Sequence, residues 1–181
     1  MNQKQMRRYE LIADLAVGAD AEKCLAELCA NDFSAGFEAW EFALARGIKC
    51  AVSGLRVFLA ASESRAKTLF CDNLPLQKLL FNSPEAGESA VLDFLASILL
   101  STKIETADEC LSRLRGNTAL DFNETMRAFL DIAFAQYCKK NDVRVPQFNR
   151  KQRDLLISHI NKIKGPNKAL LLQRLKEIQD A

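Results

Sequence analysis

A chain of 181 residues with 49% hydrophobic and 27% charged side chains has the balance of a globular domain and excludes a wholly disordered polypeptide. At this length folding withdraws roughly 70% of the extended chain's surface from water, so a sizeable core is expected. Seven glycines and four prolines are too few for the reversals that sandwiches and barrels need roughly every ten residues, which points to an all-α fold.

In chain order, Lys4, Arg7 and Arg8 precede an apolar stretch, but Asp14 interrupts it and Leu11, Ile12 and Leu15 fall at helical spacing. A helix over Tyr9–Val17 is therefore expected, not a secretion signal. Further helices are predicted at Ala21–Ala30, Phe37–Arg46, Ile48–Ala61, Leu76–Phe81 and Glu85–Ser101. Their breaks fall at Gly18 with Asp20, at Asn31 to Gly36, at Gly47, at Asp72 to Pro75 and at Ser83–Pro84, the last placing proline at a first helical position. Ala90–Leu100 is the most hydrophobic run. It is about half the length of a bilayer-spanning helix and contains Asp93, so it reads as a buried central helix and no membrane partner is expected. Thr106 and Glu109 form a capping box before a helix that Gly116 and Asn117 terminate. The clearest periodicity runs from Phe122 to Cys138, where Phe122, Met126, Phe129, Ala133 and Tyr137 share one face; Asp121 and Glu124 form the acidic version of the box. No run alternates long enough for a strand.

The eight residues from Ala21 to Leu28 share a pattern (Ala, acid, any, Cys, Leu, any, any, Leu) with Ala107 to Leu114, at an offset of 86 positions. The same offset pairs Asn31 with Asn117, Glu38 with Glu124 and Leu44 with Leu130. Two related helical halves, stacked as in solenoids, would produce this. So would convergence between amphipathic helices that reuse Ala, Leu and acids.

Charge divides the chain differently. From Lys139 onward there are eleven Lys and Arg against four acids, a surplus of seven, while the whole chain carries only +2. The expected organisation is an acidic helical core over 1–138, a polar linker over 139–149 in which Pro146 disfavours helix at Val145, and a basic helical hairpin over 150–181, turned at Gly165–Pro166, whose charge suits docking as a solvated hairpin on the acidic core. The whole reads as an antiparallel multi-helix bundle or short helical stack of about eight helices, ending in that hairpin.

Catalytic and metal chemistry find no pattern. His159 is the single histidine, and its place four residues from Leu155 and Ile163 makes it a packing residue. Cys24 and Cys29 are five positions apart on a helix and point in different directions, so neither a metal site nor a cofactor is expected. The six cysteines, Cys24, Cys29, Cys50, Cys71, Cys110 and Cys138, read as reduced core thiols of a cytoplasmic protein. Phe33, Phe37, Trp40, Phe42, Phe58, Phe70 and Phe81 fall mostly in apolar stripes, which favours core packing over a base-stacking platform. Asp108 and Glu109, a pair of carboxylates, sit where a helix dipole favours them. The glycines are scattered singly and make no phosphate loop. The segment Ile160–Ala169 resembles a DNA-binding helix-hairpin-helix element in its glycine-bearing turn alone. Asn167 stands where the second glycine belongs and Ala169 comes too early, so no family membership follows.

The sequence therefore points to a non-enzymatic adaptor or regulator acting through a protein partner or a second copy of itself. The alternative is a nucleic-acid-binding regulator that sets Arg150, Lys151, Arg153, Lys162, Lys164 and Lys168 on phosphates, or against an acidic partner. An enzyme with an unrecognised site is the third reading.

Overall fold

The structure is a computed structural model that describes residues 3–140, 157–158, 160–165 and 167–177. All regular structure among them is helical, and no strand occurs among these residues. Nine α-helices can be bounded: α1 Gln3–Ala16, α2 Ala21–Asn31, α3 Phe33–Ala45, α4 Ala51–Cys71, α5 Leu74–Phe81, α6 Ser89–Leu99, α7 Ile104–Gly116, α8 Phe122–Lys140 and α9 Asn167–Glu177, with a 3-10 turn at Pro84–Gly87 between α5 and α6. Ile157, Ser158 and Ile160 are also helical. The chain divides into two compact units, up to Glu85 and from Ala86.

In the first unit α2 is the hub, packed against α1, α3 and α4, while α5 lies on α3 and α4. Its core is aromatic: the rings of Phe37 and Trp40 lie 5.2 Å and 5.5 Å from that of Phe58, and Phe33 meets Phe58 edge-on at 5.4 Å. The buried rings, Phe37, Trp40 and Phe58, each contribute about 1.5–3 kcal/mol of transfer free energy. The expected core role is met by Phe37, Trp40, Phe58, Phe70 and Phe81, whereas Phe33 is half-buried and Phe42 stays partly exposed beneath the guanidinium of Arg46, 3.8 Å from its centroid. The buried indole Nε1–H of Trp40 donates to the carbonyl of Cys50 at 2.8 Å. This seats the ring against Gly54, where any Cβ would overlap it.

Several boundaries differ from the periodicity, each for a local reason. Helix α3 begins at Phe33 because Asp32 accepts from the amide of Ala35 at 3.1 Å. Gly36, expected in a turn, is inside that helix, where its missing side chain lets α3 approach the backbone of Cys29. Asn73 caps α5 through the amide of Leu76 at 2.9 Å, so Leu74 and Pro75 join the helix. Helix α4 runs past its expected end at Ala61 to Cys71, but Ser62 is extended (φ −166, ψ 99) and divides it there. Pro84 starts a 3-10 turn and not the long helix expected over Glu85–Ser101. The Thr106 capping box does not form at a helix start, since α7 already begins at Ile104. Asp121 does cap α8, accepting from the amide of Glu124 at 3.0 Å.

Glu85 closes the first unit. Its carboxylate accepts from the amides of Ala51 at 3.0 Å and Val52 at 3.5 Å, filling the open N-terminus of α4 from 34 residues downstream. A negative charge at that end also complements the helix dipole.

In the second unit α6, buried along most of its length, packs against α7 and α8, and α9 lies on both of those. Order and packing part company between the halves. Helix α1 shifted by 86 positions begins where α6 begins, yet α3 lies against α2 whereas α8 lies chiefly against α6.

Candidate functional site

The basic residues singled out from sequence are only partly described. Arg150, Lys151, Arg153 and most of the expected linker and first hairpin helix lie outside the described residues, as does His159. Lys162 and Lys164 are exposed; Lys168 is half-buried and donates from Nζ to the carbonyl of Asn161 at 3.3 Å. The turn between them is packed on α7. Asn167 is 1% exposed, and its Nδ2 lies 2.9 Å from both the Asp108 carbonyl and Asp108 Oδ1 and 2.8 Å from Ser112 Oγ. A side chain at Gly165 would overlap the Asp108 carboxylate. Asp108 therefore has a role that sequence reasoning missed: besides its place near a helix start, it anchors the turn of the C-terminal segment.

A concavity among the described residues lies elsewhere, in the first unit. A cleft of about 580 Å³ lies between α2 and α4, lined by Glu22, Ala26, Cys29, Ala30 and Phe33 on one side and by Arg56, Val57, Ala60, Ala61, Ser62 and Arg65 on the other. Helical geometry builds it directly. Glu22, Ala26 and Ala30 repeat every four residues and form one ridge of α2; Arg56 and Ala60 continue the facing ridge of α4. Alanine at Ala26, Ala30, Ala60 and Ala61 leaves the space that longer side chains would fill, and all four are exposed. The break at Ser62 falls in the wall, and its hydroxyl accepts from the backbone amide of Arg65 at 3.4 Å, restarting α4.

Two guanidiniums mark the cleft. Arg56 faces Glu22 at 3.7 Å, with both side chains more than half exposed (65% and 52%); such a pair is weak in water. Arg65 is held differently. Its Nη2 donates to Ser34 Oγ at 3.0 Å and its guanidinium stands over the Phe33 ring, 4.6 Å from the centroid. Among the described residues no carboxylate forms a salt bridge with it. The floor thiol of Cys29 is pushed up from its ordinary pKa by burial, against which Arg65 acts in the opposite direction. It is a neutral packing group at neutral pH and a poor nucleophile.

The sequence did carry a signal for this cleft: exposed alanines spaced by four on α2, on a face where charged residues would be the ordinary choice. It went unread because alanine fits a core face equally well. No group of three His, Cys, Asp or Glu placed to hold a metal occurs among the described residues, and no helix among them is long and apolar enough to cross a membrane. Compared with known proteins, the chain matches no family model, no curated protein and no solved structure.

Proposed function

We propose that the chain is a non-enzymatic helical adaptor that binds a partner protein, and that the cleft between α2 and α4 is where it does so. The observation that carries this reading is the combination of a helix-walled concavity of about 580 Å³ with alanine walls and a guanidinium held ready at its mouth. Apolar grooves are a recurring seat for segments of partner proteins. A binding role also suits the lining chemistry, since the thiol there is held protonated by burial and the other groups are alkyl side chains, one aromatic ring, the Ser62 hydroxyl, the Glu22–Arg56 pair and the Arg65 guanidinium.

The test is site-specific photocrosslinking in cells of the source organism, with benzoylphenylalanine replacing Arg56, a long exposed side chain at the edge of the cleft, or Lys78, an exposed position on α5. A discrete protein adduct is expected from position 56 alone, and it should disappear when Ala26→Trp fills the cleft. Adducts that form equally from Lys78, or that persist with Ala26→Trp, would reject the cleft as the site. Association with nucleic acid that falls steeply between about 50 and 200 mM salt and vanishes with Lys162 and Lys164 replaced would instead favour the basic-segment reading.

A further inference from the structure

Resting on the cleft as the partner site, the geometry points to its occupant: a short amphipathic helix of the partner protein, lying along the α2–α4 groove with a carboxylate on Arg65. Shape supports a helix. The walls are two helical ridges, and methyl-sized side chains along both let a third axis approach to the 8–10 Å of ordinary helix packing. From Glu22 to Ala30 the α2 wall spans about 12 Å by helical rise, enough for anchors at i, i+4 and i+7 of an incoming helix. Charge supports a carboxylate. Arg56 already has Glu22 beside it, whereas Arg65 is braced by a ring and a hydroxyl that orient its fork without neutralising it. A guanidinium so placed loses little freedom on meeting a planar anion.

The second unit offers a comparison at the corresponding positions. At the 86-residue offset, Glu22 and Ala26 coincide with Asp108 and Ser112. Those are the two α7 residues on which the chain's own Asn167 is seated. On α2, Glu22 instead meets Arg56 of α4, and Ala26 opens into the cleft.

The experiment selects ligands from a displayed library of 16-residue helical peptides, randomised on one face, against the full-length chain. Counter-selection uses the full-length Ala30→Trp variant, and both proteins are checked for equal melting temperature. Enriched peptides are expected to carry Asp or Glu beside apolar anchors and to bind about tenfold or more weakly to Arg65→Glu, a change of about 1.4 kcal/mol. Arg65→Lys should recover only part of the affinity, because an ammonium cannot reproduce the bidentate fork. Replacing the selected acid by Lys should restore binding to Arg65→Glu. Peptides that are blocked by Ala30→Trp but indifferent to Arg65→Glu would overturn the acidic helix while leaving the cleft as a binding site. Peptides indifferent to both variants, or no enrichment over the counter-selected protein, would overturn both. Concentration-dependent dimerisation abolished by Ala30→Trp would show a second copy of the chain in the cleft and likewise overturn a foreign helix as its occupant.

Discussion

Cys50 combines burial with a neighbouring charge. It is fully buried at the start of α4, and its thiol pKa is pushed up to about 12, first by burial and then by the nearby Glu85 carboxylate. The folded state thus favours the neutral thiol more strongly than the unfolded chain does. Its contribution is fully present below the ordinary thiol value of 9.0 and is lost as pH rises towards 12. Urea unfolding at several alkaline pH values should show the penalty of Cys50→Ala largest near pH 8 and shrinking as pH climbs; a penalty independent of pH would contradict this assignment. Alkylation followed by mass spectrometry gives a simpler check, with Cys50 labelled last and the half-buried Cys71 first among the five described cysteines.

Among the elements, α4 depends most on a distant residue. Removing the Glu85 acceptor by Glu85→Ala should cost about 1 kcal/mol, the usual worth of an N-terminal cap. Glu85→Gln keeps an oxygen for the amides and should cost less, with the difference measuring the charge–dipole part. If denaturant midpoints for the two variants match that of the parent, the clasp contributes nothing to stability. The sequence made the existence of most elements legible, because apolar residues at spacings of three and four survive whatever packs on them. It failed where side chains decide: Asp32 and Asn73 extend α3 and α5 backwards, and the polar run Ser62–Arg65 looked like an ending when it is a break followed by another helical stretch. Gly36 looked like a turn for the same reason, since a glycine required for close helix approach is indistinguishable in one sequence from a glycine required for a reversal.

At the level of the molecule, the seat of Asn167 on α7 makes the placement of the C-terminal segment a matter of one amide and one glycine. Asn167→Ala leaves Asp108 and Ser112 without their shared donor and should cost about 1–3 kcal/mol. Limited proteolysis should then cut near 160–170 sooner than in the parent; unchanged cleavage and midpoint would mean that α9 is held by its apolar contacts alone. Charge made docking of the basic segment on the acidic body one expectation from the sequence, but it did not locate the contact: nothing in composition showed that an acidic side chain from α7 would meet its turn. The similarity at the 86-residue offset shows the opposite limit: its eight residues are plain in the sequence, yet the helices around them pack differently in the two units, because an eight-residue match constrains one ridge and not what is laid on it.

The long reach of Glu85 has a consequence for synthesis. A nascent chain released as far as Asn82 already contains every residue of α1 to α5, so the aromatic cluster can collapse, but the first amides of α4 still face water. Three residues later the clasp arrives. Closure of that end is therefore timed by emergence from the ribosome, and the first unit gains its last long-range hydrogen bonds only as the chain passes into the second.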